Sequence, residues 1–308
     1  MDSLSRALKK KAGELGFDLF GIARSEYLGD DAVRFNDWLN RGHHAGMDYM
    51  TRNSEKRMNP GLLVSEARSI IVVGLNYYQD YSPGNDSPLF SRYALGLDYH
   101  MVMKEKLHHL NYFLKETGAE GKVFVDSAPV KENIWANRAG LGWIGKNSLL
   151  INSEKGSYLF LGGIITSAEL EYNNTPTADH CGSCRKCVEA CPTNAIQENR
   201  TLNAAKCISY LTIEHRGDFW GYPGIKLENR VFGCDVCQEV CPWNRKPEIS
   251  TIKEFRPLPE ILEYTFEQWN RVDENQFRSI FTNSPVERSG FDGFKRNLSH
   301  LMKGLGFR

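Results

Sequence analysis

Cys181-Gly-Ser-Cys184-Arg-Lys-Cys187-Val-Glu-Ala-Cys191-Pro192 is the stretch on which the reading of this chain turns. It spells C-x2-C-x2-C-x3-C-P, the spacing with which bacterial ferredoxins hold iron–sulfur cubanes. Two-residue gaps let one tight loop wrap three corners of a cubane, and the fourth cysteine opens the helix that leads away. A second run, Cys234-Asp-Val-Cys237-Gln-Glu-Val-Cys241-Pro242, repeats the C-P ending but is one cysteine short, and Cys207 is the only one left to fill the corner. In two-cluster ferredoxins the fourth cysteine of a run ligates the other cluster. The count then closes on two [4Fe–4S] clusters, one on Cys181, Cys184, Cys187 and Cys241, the other on Cys234, Cys237, Cys207 and Cys191. Zinc ribbons use paired C-x2-C arms, a poorer match to three cysteines at x2 spacing followed by C-P.

Working outward, all eight cysteines of the 308-residue chain fall between Cys181 and Cys241, and residues 1–180 contain none. The start, MDSLSRALKKKAGELGF, lacks the apolar segment of a secretory signal. No apolar run approaches the roughly 18 residues of a membrane helix. The expectation is a cytoplasmic protein with no membrane partner, where cysteines this dense read as metal ligands rather than disulfides. Lys+Arg and Asp+Glu number 38 each, so the net charge of zero excludes a uniformly basic nucleic-acid coat and leaves room for a local patch. With 41% hydrophobic and 25% charged residues, the composition is that of an ordinary globular chain of about two domains.

Upstream of the cysteines, helical and strand patterns alternate. Leu4, Ala7, Leu8, Ala12 and Leu15 form one helical stripe ended by Gly16, and Phe17–Ala23 reads as a strand. Val33–Leu39 is a short helix, and Ser69–Tyr77, unbroken and β-branched, a buried strand. Asp98–Thr117 is a long helix, Lys122–Val125 a strand, Lys131–Ala139 a helix closing on Gly140, and Tyr158–Thr166 another buried strand. The pattern predicts an α+β (or α/β) core with helices covering a mixed sheet over residues 1–166. A polar linker over 167–180, a ferredoxin-like domain over 181–250 and a helical segment over 251–308 follow. Gly140-Leu-Gly142-Trp-Ile-Gly145-Lys146 fits neither a dinucleotide fingerprint nor a phosphate loop and reads as a helix stop and turn. Asp98-Tyr99-His100 begins like a D-x-H-x-x-G cobalamin motif but lacks the glycine, so His100 reads as a surface helix histidine.

VDSAPVKENIWANRAGLGWIGKNSLLI (125–151), SRYALGLDYH (91–100), the ferredoxin run, Cys207-Ile-Ser-Tyr-Leu-Thr and GCDVCQEVCPWN (233–244) together resemble the epoxyqueuosine reductase family. The resemblance covers nearly the whole chain, as a short form without the C-terminal HEAT-like repeats of many members. It implies a nitroreductase-like, cobalamin-binding core and reduction of epoxyqueuosine to queuosine at the tRNA wobble position. It further implies base-off cobalamin with no histidine ligand, and electrons from an external low-potential donor. Asp126 is then the acid over the corrin ring, its pKa raised toward neutrality at the end of a buried strand. Without the resemblance it reads as a cap of the Ser-Ala-Pro turn. Arg57, Tyr93, Asp126, Lys146, Asn147, Ser148, Ser209 and Asp235 are the residues expected at the cofactor. For tRNA the candidates are Lys9, Lys10, Lys11, Arg245, Lys246, Arg288, Lys295, Arg296, Lys303 and Arg308, with Trp143, Trp220, Tyr222 and Trp243 as stackers. The alternative is a cobalamin and iron–sulfur reductase of a small organohalide or other small molecule.

Overall fold

Ser69–Asn76 is buried along its whole length, and its run Ile70–Leu75 is without a polar side chain because both of its faces are covered. In the computed structural model, which describes residues 3–172, 176–198 and 200–306, its side chains alternate between two cores. Ile71, Val73 and Leu75 join one core, and Ile70 and Val72 the other.

The elements run α1 (Ser3–Glu14), β1 (Leu19–Arg24), α2 (Gly29–Asn40), α3 (Ser54–Met58), β2 (Ser69–Asn76), β3 (Leu89–Phe90), α4 (Tyr99–Lys115), β4 (Gly121–Phe124), α5 (Glu132–Arg138), β5 (Trp143–Ile144), β6 (Leu150–Ile151) and β7 (Leu159–Thr166). After them come α6 (Lys186–Ala190), α7 (Ile208–Ile213), β8 (Arg230–Phe232), α8 (Val236–Glu239), α9 (Pro259–Glu263), α10 (Phe266–Arg271), α11 (Glu274–Ile280) and α12 (Gly290–Gly304). The main sheet has the order β1-β2-β7-β4. Leu8 and Ala12 of α1 and Met103, Leu107, Leu110 and Leu114 of α4 pack on one face. Ala32 and Phe35 of α2 and Trp135, Ala136 and Ala139 at α5 pack on the other.

The α+β architecture is as expected, but the mixed sheet is corrected: all three pairings of the main sheet are antiparallel. Chain neighbours β1 and β2 lie side by side, so no crossover imposes a parallel pair. The parallel pairing occurs elsewhere, between β3 and β8. Gly140 (φ +76°) ends α5, and the glycine-rich turn after it is a hairpin, β5 pairing with β6. Gly21 lets α5 dock, since a Cβ there would sit 2.3 Å from the Ala139 carbonyl oxygen.

A third core draws Phe90 and Leu95 from the first half, Ile208, Val231 and Phe232 from the cysteine segment, and Phe266, Trp269, Phe281, Phe294 and Leu298 from the C-terminal helices. Trp269 is fully buried, with the rings of Phe90, Phe281 and Phe294 each 5.5 Å away. Truncating a side chain so enclosed costs about 3–5 kcal/mol. The C-terminal helices are therefore packed on the cysteine segment rather than trailing from it. Among the described residues no helix is long and apolar enough to cross a membrane.

Candidate active site and cluster ligands

The thiols fall into two through-space groups. Burial and the charges of Cys181 and Cys241 push the Cys187 thiol up, and burial with Cys181 and Cys184 does so for Cys241. In the other group, burial with Cys234 and Cys207 raises Cys237, and burial with Cys191 beside it raises Cys207. Burial pushes Cys234 to about 12, with Cys207 again among its neighbours. None of the eight is in a disulfide. Buried thiols that repel one another's ionised forms suit a centre whose cationic iron favours thiolate, so the donor set fits two clusters. The loop of the first group is exposed at Gly182, Ser183, Arg185 and Lys186. The second lies among buried Ile208, Phe232 and Asp235.

The hairpin loop between β5 and β6 bolts the first domain to these loops. Lys146 Nζ donates to the carbonyls of Gly182 and Cys184, both at 2.7 Å. Ser148, at φ +67°, donates through Oγ to the Arg200 carbonyl. Asn147 accepts from the Leu149 N–H, while its Nδ2 is buried with no partner. Asp235 accepts from Ser91 Oγ and, at 2.7 Å, from the Arg92 N–H; burial raises its pKa. It thus ties the 91–92 stretch to the second cysteine run. Ser209, half-buried in the first turn of α7, uses its carbonyl to accept from Thr212. A cavity of about 800 Å³ opens between α2, α5 and this hairpin, lined by Phe35, Trp38, Lys131, Asn133, Ser148 and Arg200 among others.

Asp126 follows β4 at φ +44°, a left-handed conformation unusual for a non-glycine residue. The strained turn puts its carboxylate against the first turn of α4. Tyr99 donates its O–H at 2.8 Å, and His100 Nε2 lies 3.5 Å away. On its far side, His100 Nδ1 is 2.8 Å from Asp98 Oδ1. Asp98 also caps α4 through the His100 N–H, so the cap that starts the helix also orients the imidazole.

Two expectations are corrected here. Burial does push Asp126 upward, but hydrogen bonds from His100 and Tyr99 outweigh it and hold the carboxyl below its ordinary value. His100 is not a surface residue: its side chain is only 25% exposed. Burial disfavours its charge, yet the bonds to Asp126 and Asp98 carry it to about 9. Asp126 nevertheless keeps 66% of its side-chain surface accessible. Asp126 is thus open to solvent on one side while Tyr99 and His100 hold its carboxylate on the other.

Around Asp126 stand Glu132 and Glu214, which sequence reasoning did not single out, together with Arg288, Arg57 and Tyr93, which it did. Glu132 has Oε1 buried without a partner. Arg288 pairs with Glu214 and lies 5.7 Å from the Tyr49 ring centre. Arg57 donates to the Tyr49 carbonyl at 3.2 Å, and its Nε is buried and unpartnered. The Tyr93 ring packs 6.3 Å from Tyr99 and 6.1 Å from Phe232. Burial and the charges of Asp126 and Asp235 keep its phenol neutral, so Tyr93 spans the gap between Asp126 and the second cysteine group. The Asp98-Tyr99-His100 run was the signal available for Tyr99 and His100; Glu132 and Glu214 carried none, and Arg288 was expected only as a tRNA contact.

A family model described as 4Fe-4S double cluster binding domain matches residues 180–244, and one described as epoxyqueuosine reductase QueG, DUF1730 matches 57–127. The epoxyqueuosine reductase of Cyclobacterium marinum is 42% identical over 97% of this chain and 96% of its own length. That of Leadbetterella byssophila is 43% identical over 98% and 99%. This chain belongs to the epoxyqueuosine reductase family. It is an oxidoreductase that carries two [4Fe–4S] clusters. Among solved structures, an epoxyqueuosine reductase with a tRNA-Tyr epoxyqueuosine-modified stem loop superposes with TM-score 0.91 at 32% identity, covering 97% of this chain and 80% of that one. The epoxyqueuosine reductase of Bacillus subtilis, solved with its catalytic aspartate loop swung out of the active site, gives 0.92 at 30%, covering 99% and 82%.

Within this reductase, several candidate tRNA contacts are engaged internally. Arg296 donates to the carbonyls of His215, Gly217 and Leu211, and Lys295 to that of Asn270. Lys10 and Lys11 lie against Glu14. Trp143 is buried beneath His180 and Trp243, whereas Trp220 is 87% exposed. Arg245 and Lys246 are exposed. Arg308 lies outside the described residues.

Proposed function

We propose that this chain reduces epoxyqueuosine to queuosine at the wobble position of tRNA, with cobalamin on the open side of Asp126 and the two clusters behind it. The observation that carries this reading is the stack of chemistry across one gap. The Asp126–His100 pair forms the floor, Tyr93 the wall, and the Cys207, Cys234 and Cys237 group lies beyond. In this reading residues 1–166 form the catalytic unit and 181–250 the cluster unit, closed by the C-terminal helices.

Unpartnered donors on Arg57, which faces Asp126, and on the β5–β6 hairpin loop suit an amide-rimmed macrocycle. Arg57 Nε and Asn147 Nδ2 are buried with nothing to bond, and unsatisfied buried donors are costly unless a ligand completes them. Arg57, Tyr93, Asn147, Ser148 and Ser209 would hold the group's rim. Lys146 and Asp235 would act one step back, fixing the cysteine loops against it. When bound, the clusters deliver electrons singly and cobalamin supplies a cobalt nucleophile able to cleave a C–O bond. An external low-potential carrier would dock over the exposed Gly182–Lys186 loop, the more accessible cysteine group.

What the chain itself supplies is proton control. Opening an epoxide leaves an alkoxide that must be protonated. At neutral pH the His100 imidazole is charged and Asp126 is a carboxylate. The pair holds one proton, which passes from the imidazolium by way of Asp126 to the alkoxide oxygen. Tyr99 fixes the carboxylate's orientation from the opposite side. Arg288, beside Tyr49, would meet anticodon phosphate.

The test is anaerobic purification with iron, sulfide and cobalamin quantified, followed by reduction of an epoxyqueuosine-containing stem loop. About eight irons, bound cobalamin and an alkene product are expected. Loaded protein with no product would overturn the substrate assignment.

A further inference from the structure

Reduction of an epoxide to an alkene consumes two electrons and two protons and releases the oxygen as water. The Asp126–His100 pair holds one of those protons, so a second must reach the same oxygen. The residue placed to hold it is Glu132, at the start of α5. Its Oε1 is buried with no hydrogen-bond partner, and its carboxyl accepts only from its own backbone N–H among the bonds acting on it. The charged groups facing it are Asp126 from the loop after β4, Lys131 beside it in the chain, and Arg57 from α3. An ionised carboxylate would be expected to recruit the Lys131 or Arg57 donors as direct partners, yet no ion pair joins it to either and Arg57 Nε is equally unpartnered. Burial and the charge of Asp126 outweigh the two cations and push Glu132 up to about 8.

We propose that Glu132 is a protonated carboxylic acid in the resting enzyme and re-supplies Asp126, furnishing the second proton that turns the ring-opened hydroxyl into leaving water. The inference rests on the epoxide-reductase reading. In balance, the epoxide gains two electrons from the external donor by way of the clusters and two protons, one from the His100–Asp126 pair and one from Glu132. Both C–O bonds break and one water leaves, after which bulk solvent reprotonates the two carriers. Glu132 acts through Asp126 and is a positioning and proton-supply residue, not one that touches the substrate.

Two measurements test it, on Glu132→Gln and Glu132→Asp alongside the parent holoenzyme. Infrared difference spectra of the resting holoenzyme across a pH titration need no substrate. They should show a protonated carboxyl band at neutral pH that fades near pH 8 and is absent from Glu132→Gln. A missing band, or one unchanged in Glu132→Gln, overturns the proposal while leaving the epoxide-reductase reading untouched. The second is the pH profile of stem-loop reduction. Glu132→Gln should lower kcat about a hundredfold at unchanged iron and cobalamin content and unchanged KM, and Glu132→Asp should restore most of it. Unchanged turnover, or loss through KM alone, overturns the proton-supply role. If the parent enzyme itself forms no alkene, the epoxide-reductase reading fails instead.

Discussion

Removing the carboxylate partner of His100 should return its proton to an ordinary histidine value in measurable steps. The imidazole rises from 6.5 to about 9, and at 1.36 kcal/mol per unit that is about 3 kcal/mol in favour of the charged form. Two carboxylates supply it, Asp126 at 3.5 Å and Asp98 at 2.8 Å, against a desolvation that opposes it. His100 is three-quarters shielded but Asp126 is two-thirds accessible, so solvent screens the Asp126 share and the Asp98 share is the larger part. Asp126→Asn should therefore lower the midpoint of His100 toward neutrality without abolishing the shift, and Asp98→Asn should do the same independently. The assay is the pH titration of the imidazole resonances in protein labelled at histidine, with His100→Gln to assign them. The stability consequence has a definite sign. His100 is raised in the fold, so its contribution is complete below about 6.5 and disappears as pH rises through about 9. Asp126 is held low, so its contribution is present above the ordinary carboxylate range and is lost as pH falls through the depressed value. Activity carried by the charged pair should fall on the alkaline side. A His100 midpoint near 6.5 in the parent protein, or a midpoint unmoved by Asp126→Asn, would refute the ion-pair account.

Other outcomes follow from single contacts. Cys207→Ser should reduce iron from about eight to about four per chain, and an unchanged count would dismiss the crossover ligand set. Lys146→Met leaves the carbonyls of Gly182 and Cys184 without their shared donor. It should make the first cluster more labile to oxygen or chelator, by about 1–3 kcal/mol per charge-assisted bond, with the second cluster unaffected. Gly21→Ala drives a methyl to 2.3 Å from the Ala139 carbonyl oxygen. The cost should be about 1–3 kcal/mol, read as a lowered unfolding midpoint, and wild-type stability would mean that α5 shifts freely. Asp126→Asn should retain iron and cobalamin while losing turnover by about a hundredfold or more; substantial activity would remove Asp126 from proton transfer.

What was legible in the chain was what is local along it. Ligand spacing in C-x2-C-x2-C-x3-C-P is a property of consecutive residues, because a cubane's corners are reached within one turn of loop. The apolar run inside Ser69–Tyr77 likewise announced a strand covered on both sides. The helix of Tyr99–Lys115 was visible as the long helix expected over Asp98–Thr117, and its Asp98 cap showed only in the structure. The same local logic misread the sheet, since alternating helices and strands do not say which strand pairs with which. Antiparallel order emerged from β7 inserting between β2 and β4.

The chemistry around Asp126 was decided in three dimensions. A strand-end aspartate looked set for a raised pKa by burial alone. The fold instead brings Tyr99 and His100 from the start of α4 onto it, and hydrogen bonds to the charged form outweigh desolvation. Glu132 lies in the same quoted stretch as Asp126, yet nothing in its neighbours marks it; its state depends on Asp126, Lys131 and Arg57 meeting at one buried point. Lys295 and Arg296 show the converse, cations that the tertiary structure turns onto backbone carbonyls. Three corners of the first cluster are written in sequence because one loop carries them, although its fourth expected ligand, Cys241, comes from far along the chain. Protonation states are not written there, because they are sums of charge and burial over whichever residues folding brings within a few ångströms.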